Sequence, residues 1–248
     1  MSDQQNLQDH LEEIKAVPEE KVVYCDMPYK VFIDEAEGLH TRASLDLPLF
    51  EAFNFDVAKL DRLLGISGAL RTAQSNWESM QTDKQKAIDA WEAEAPAMYH
   101  LHRELIDHMD FAFRADEGLL KKLSAIKEGD SRADTIQDMA SLSVLGKDNQ
   151  ELLTAINFDL TKLDTAAQMA DSMGGLLGDI NGRMYFEDDI KLIRDKAYTL
   201  CKEVVDEIRS YGKFVFRNKD DKRQAYSSKY NRERLAAYRK AKAAEENA

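Results

Sequence analysis

The hydrophobic positions of this chain fall into long stripes of helical spacing. Phe53, Val57, Leu60 and Leu64 follow one another in steps of four, three and four, which places them on one face of a helix. Asp46 supplies a capping side chain ahead of that helix and Pro48 suits its first turn. Around Gly65 and Gly68 the stripe steps sideways, and a second seam takes over through Leu63, Ile66, Leu70, Ala73, Trp77, Met80, Ala87 and Trp91, interrupted by Lys84. A phase change beside two glycines predicts a stutter or kink within a helix rather than its end. Pro96 then predicts a turn into a return helix lined by Met98, Leu101, Leu105, Met109 and Ala112, which runs to Ile126 and stops at Gly129 and Asp130. Two long helices joined by a short break predict an antiparallel hairpin. Ser131 opens a shorter connecting helix that Gly146 ends.

The first fifth of the chain reads differently. Leu7, Leu11 and Ile14 mark a short amphipathic helix that Pro18 stops. Beyond it, Val22 to Cys25 and Val31 to Ile33 are β-prone runs flanking Asp26, Met27 and Pro28, so a small β-hairpin over residues 20–35 and an extended arm both fit.

The most specific pattern is internal. Phe53-Asn54-Phe55-Asp56-Val57-Ala58-Lys59-Leu60-Asp61 returns 103 residues later as Ile156-Asn157-Phe158-Asp159-Leu160-Thr161-Lys162-Leu163-Asp164, identical at six of nine positions. The same offset carries Ile66, Leu70 and Trp77 onto Met169, Met173 and Ile180, and Phe111, Phe113 and Arg114 onto Phe214, Phe216 and Arg217. One ungapped register that aligns a motif, a seam and a second aromatic motif predicts a duplicated unit, and a hairpin that cannot cover its own seam predicts pairing with its copy. The expected fold is therefore all-α: an elongated four-helix bundle of two duplicated antiparallel helical hairpins with pseudo-two-fold symmetry. The boundaries are an N-terminal arm over 1–45, a first hairpin over 46–130, a connecting helix over 131–146, a second hairpin over 147–218 and a helical C-terminal extension over 219–248.

Composition agrees with helices: 248 residues hold only 11 Gly and 4 Pro, with 32% charged side chains. Cys25 and Cys201 stand far apart with no CxxC spacing, which speaks against a disulfide scaffold, a zinc finger or a redox pair. No apolar run approaches the length of a membrane span, and Met1 to Leu11 lack a leader's basic and apolar regions, so a soluble, cytoplasmic chain without membrane contact is expected.

Charge changes the picture at one end. Between Arg209 and Lys242 twelve basic residues face three acidic ones, so a chain of net charge −12 divides into a segment of +9 and a remainder of −21. Within the segment Arg217, Lys222, Arg223, Lys229, Arg232, Arg234, Arg239 and Lys240 interleave with Tyr226, Tyr230 and Tyr238, a composition that suits phosphate contact with base stacking and equally suits docking on acidic protein surface.

Two further groups could carry chemistry. Asp56 with Lys59, and Asp159 with Lys162, stand three apart and predict exposed ion pairs at two helix entries. His100, Glu104 and His108 are spaced by four and share a helix side, the kind of stripe from which bundle metal sites are built. Their counterparts 103 residues on are Glu203, Glu207 and Tyr211, so the second copy lacks the imidazoles, and a half-buried structural role for His108 is the simpler account. The run Gly174-Gly175-Leu176-Leu177-Gly178 lacks the Lys-Ser/Thr of a phosphate loop and predicts close helix packing or a kink. No cofactor is expected. The reading is a non-enzymatic interaction or scaffolding protein with a protein partner or self-association. A nucleic-acid accessory protein acting through the basic segment and a metal-dependent bundle enzyme acting through the histidine stripe are the alternatives.

Overall fold

A computed structural model describes residues 2–245. Among them the chain is all-α, without a strand. The helices are α1 (Asp3–Ala16), α2 (Tyr29–Leu45), α3 (Leu47–Glu51), α4 (Ala58–Ala112), α5 (Glu117–Ile126), α6 (Arg132–Asp148), α7 (Gln150–Thr154), α8 (Thr161–Val215), α9 (Asp220–Ala225) and α10 (Lys229–Glu245). Moving 103 positions along the chain carries the bounds of α2, α3 and α4 onto those of α6, α7 and α8, and the start of α5 onto that of α9.

Two expectations are corrected. No hairpin turn stands at Pro96, which lies inside the 55-residue helix α4. The seam explains why: Trp91, Ala95, Met98, Leu101 and Leu105 are all buried, so the stripe crosses the proline without changing phase, and continuous packing outweighs the local cost of the missing N–H. The N-terminal β-hairpin is absent too. Pro28 caps α2, which draws Val31, Phe32 and Ile33 into helix with Phe32, Ile33, Ala36, Leu39 and Ala43 buried. The remaining β-prone run is left extended, with the Val23 N–H donating to the Thr199 hydroxyl at 3.1 Å.

The chain forms two compact units, one of Met1–Ser79 with Glu187–Ala248 and one of Met80–Phe186. Each long helix contributes its first part to one unit and its last part to the other.

In the first unit the start of α4 and the end of α8 run antiparallel. The Phe55 and Tyr211 rings lie 5.0 Å apart, Lys59 pairs with Glu207, and the Arg194 guanidinium sits 4.5 Å over Trp77. Helix α1 closes one side of α4. Its His10 lies against Gly65 and its Asn6 and Asp3 against Gly68, so close that a Cβ at either glycine would collide. These glycines therefore admit a neighbouring helix and do not interrupt α4. Phe32, Leu39, Phe50, Leu63, Ile66, Val205 and Ile208 fill the core. Trp77 is only half-buried, under Arg194, with its indole N–H unpartnered.

The second unit is built on the same plan. Here the start of α8 meets the end of α4: the Phe158 and His108 rings lie 5.0 Å apart, Lys162 pairs with Glu104, and Arg183 lies 3.6 Å from Asp83. Ser131 and Asp134 form a reciprocal capping box that starts α6, and the buried Ser143 hydroxyl donates to the Leu163 carbonyl at 2.7 Å. The buried residues answer those of the first unit position by position: Leu39 and Leu142, Phe50 and Leu153, Leu60 and Leu163, Leu70 and Met173, Leu105 and Ile208, Phe113 and Phe216.

A proline inside a helix leaves the carbonyl four residues earlier, here that of Glu92, without its donor. Pro96→Ala is therefore expected to raise stability by about 1–3 kcal/mol, the helix gain being reduced by the freer unfolded chain. Urea unfolding measures it; an unchanged or lowered midpoint would mean that position 96 is not helix interior.

Candidate functional site

The twice-repeated motif forms the same turn both times. Asn54 and Asn157 adopt left-handed backbone, with φ of 58° and 56°, a conformation that asparagine tolerates better than most residues. The Asp56 carboxylate accepts from the Ala58 N–H at 3.1 Å, and that of Asp159 from the Thr161 N–H at 3.0 Å and its hydroxyl at 2.7 Å. The Thr161 hydroxyl holds Asp159 below the usual carboxylate range. The expected pairing of each Asp with the Lys three residues on gives way to another arrangement: the aspartates cap the long helices, and Lys59 and Lys162 reach across to Glu207 and Glu104. This is a structural joint, with no nucleophile and no unpaired base.

The histidine stripe does not converge. His100 is exposed, Glu104 is taken by Lys162, and His108 directs Nδ1 to the Glu104 carbonyl at 2.7 Å while its ring lies on Phe158. The neighbouring His102 instead meets Asp138 of α6, at 3.1 Å. Burial raises the Asp138 carboxyl above its ordinary value, and the hydrogen bond from His102 offsets part of that rise. Among the described residues no three His, Cys, Asp or Glu side chains are placed to hold a metal ion.

The basic segment is largely bound to its own unit. Arg209, on α8, meets Glu35 of α2 at 2.7 Å with both side chains nearly buried. Tyr226 lies in the core between Phe50 and Phe216, in space that Gly212 leaves by lacking a Cβ, and its hydroxyl donates to Asp46 at 2.7 Å. Burial and that carboxylate push the Tyr226 phenol up. Glu35 also accepts from the Ser228 hydroxyl and the Tyr230 N–H, fastening the start of α10. Arg234 donates to the Asp26 carbonyl at 2.8 Å, and Arg232 to the Gln224 side chain at 3.3 Å. Lys222 lies over the Phe216 ring, Arg217 over Phe214, Arg223 stands 4.0 Å from Asp220, and Lys229 3.8 Å from Glu233. Tyr238, Arg239 and Lys240 are exposed on the outer turns of α10. Residues 246–248 of the expected extension lie outside the described residues.

A polar cluster that sequence reasoning missed lies in the first unit. Arg194 and Asp195 are buried side by side at 2.7 Å, the Tyr29 hydroxyl donates to Asp195 at 2.6 Å, and the Arg194 guanidinium lies between the Tyr29 and Trp77 rings at 4.5 Å from each. The signal available was the buried stripe around it, since Ala197, Tyr198 and Cys201 are core residues of the same helix. Burial pushes the Cys25 thiol up and that of Cys201 to about 12, so both stay protonated and are poor nucleophiles. The cluster fastens α2 to α8.

What the surface offers instead is apolar. Phe111 and Phe214 are 57% and 50% exposed at matched ends of the two units. Arg114 and Arg217 lie over them at 4.3 and 4.8 Å, each donating to the carbonyl of the phenylalanine it covers. Among the described residues no helix is long and apolar enough to cross a membrane. No family model, curated protein or solved structure matches the chain.

Asp138 gives a pH test. A carboxyl whose folded pKa lies above its unfolded value contributes stability below the unfolded value, about 3.9, and loses it as pH rises through the folded one. Asp138→Asn has no such loss, so its stability relative to the parent is expected to climb as pH rises from about 3.9. Urea midpoints at several pH values measure it, and a difference that falls with pH would contradict the burial-dominated shift.

Proposed function

We propose that this protein is a non-enzymatic helical scaffold made of two copies of one ancestral unit, each copy presenting an equivalent contact surface to protein partners. The observation that carries the reading is the pair of matched ends. An aromatic ring half out of water, stiffened by an arginine across its face, is the residue chemistry that dominates protein interfaces, and it occurs at the same position of both units in Phe111 with Arg114 and Phe214 with Arg217. The matching helix bounds, paired left-handed asparagines and reciprocal lysine–glutamate contacts support duplication as the origin of this repetition. Of the residues that suggested a metal-dependent bundle enzyme, Glu104 is engaged by Lys162 of α8, His108 by a carbonyl of its own helix, and His100 stands exposed, which favours the scaffold over that alternative.

Two equivalent sites on one chain multiply avidity for a partner that is itself repeated. The double substitution Phe111→Asp with Phe214→Asp is expected to leave the melting temperature within a few degrees of the parent, because both rings are exposed. It should also remove partners captured from native extract, with either single change losing about tenfold or more in retention. An unchanged set of captured partners from the double variant would overturn the reading. The nucleic-acid alternative keeps one observation, the outward Tyr238, Arg239 and Lys240. It requires full-length protein to bind DNA or RNA with an affinity that drops by about tenfold or more between 50 and 200 mM salt, and absence of binding at the lower salt removes it.

A further inference from the structure

Because the two units share a plan, each shows what the other lacks. In the first unit a groove between α2 and α9 is lined by Asp34, Gly38, Arg42, Ala225 and Lys229, and α10 forms one of its walls through Tyr230 and Glu233. Those five lining positions correspond, 103 residues away, to Gln137, Ser141, Leu145, Lys122 and Ile126, which line a groove of about 520 Å³ between α5 and α6 in the second unit. There no helix follows in the place that α10 takes after α9. The chain leaves α5 after Ile126 and turns through Gly129 into α6. The side that α10 occupies in the first unit is consequently open in the second, and its lining is apolar at two positions where the counterpart is charged, Ile126 for Lys229 and Leu145 for Arg42, beside Ala125, Ala140 and Val144, with Val144 60% exposed.

The helix suited to that groove is present in the chain. Helix α10 buries no residue along its 17 positions. Its first turn is fastened to Glu35, while Leu235 and Tyr238, three apart and so on one face, stand 48% and 65% exposed. Asn231 and Arg234 fasten its first two turns to Asp26, and the apolar face beyond gains from a partner. Charge over the whole unit points the same way: α10 carries six basic residues against two acidic ones, and the second unit nineteen acidic against eleven basic, while the groove's own lining balances Lys122 with Asp148.

We infer that the α5–α6 groove receives α10 from a second copy of this chain, Leu235 and Tyr238 seating against Val144 and Leu145. The inference rests on the scaffold reading and names a second copy as one of its partners. Since helix and groove are different surfaces, the contact is heterologous: each copy offers one of each, and association continues beyond two unless the arrangement closes into a ring.

The test is sedimentation equilibrium of the full chain beside Val144→Glu and Leu235→Glu. Both residues are exposed, so both variants should melt with the parent. The parent's mass is expected to rise with concentration between about 1 and 100 µM, the range of a small interface, while each variant alone remains a monomer. Mixed in equal amounts, the variants should form a dimer that grows no further, because Val144→Glu retains an intact α10 and Leu235→Glu an intact groove. A parent that stays monomeric throughout overturns the inference, as does a variant that still associates alone or a mixture that does not pair. Capture of a foreign partner through Phe111 and Phe214 by a monomeric parent would leave the scaffold reading standing while this docking fails.

Discussion

The reach of a lysine from the first turn of one long helix to a glutamate near the end of the other sets the register on which the rest of the molecule depends. It follows from the turn before it. A left-handed asparagine reverses the chain, the aspartate two residues on caps the new helix, and the intervening phenylalanine is driven under it against Tyr211 or His108. With the ring fixed, Lys59 meets Glu207 and Lys162 meets Glu104. The part-buried ion pair contributes modest energy of its own; the buried ring beside it supplies the stability and the ion pair selects the alignment. From that alignment α4 packs along the last part of α8 in the first unit, and along its first part in the second.

This exchange of partners explains which features were legible in the chain. The offset of 103 residues set the correspondence of core positions, because a seam must be buried wherever it occurs, and Leu60 with Leu163 or Leu105 with Ile208 are buried as matched pairs. Pro96 is a strong local signal for a turn, while the sign against one lies in the unbroken phase of Trp91, Ala95 and Met98, which α4 follows. Gly65 and Gly68 suggested a kink for a related reason: a glycine on a helix face reads as weakness until the helix that needs its missing side chain is known, here α1 through His10 and Asn6. At Val22 to Cys25 the β-prone run had no second strand to pair with, a tertiary fact that composition does not carry.

The candidate chemistry shows a similar division. Spacing placed His100, Glu104 and His108 on one helix side correctly, yet Glu104 is claimed by the lysine that sets the register, and His102, one side over, finds Asp138. The basic segment is visible as charge, but its destination is not, since Glu35, Asp46 and Asp26 lie 174, 180 and 208 residues before their partners. What sequence does not reveal is the difference between two corresponding surfaces. Leu145 against Arg42 and Ile126 against Lys229 are ordinary substitutions on paper; in place they turn a charged groove into an apolar one.

Each unit, taken by itself, is held together by the same antiparallel contact between the start of one long helix and the end of the other. A zero-length amine–carboxylate cross-linker applied to the unaltered chain, with peptide mapping of Lys59 to Glu207 and Lys162 to Glu104, tests it directly. Intramolecular cross-links at both pairs, with comparable yield, are the predicted result. A cross-link at one pair and none at the other, or a chain in which residues on either side of Pro96 link as a hairpin, would contradict it.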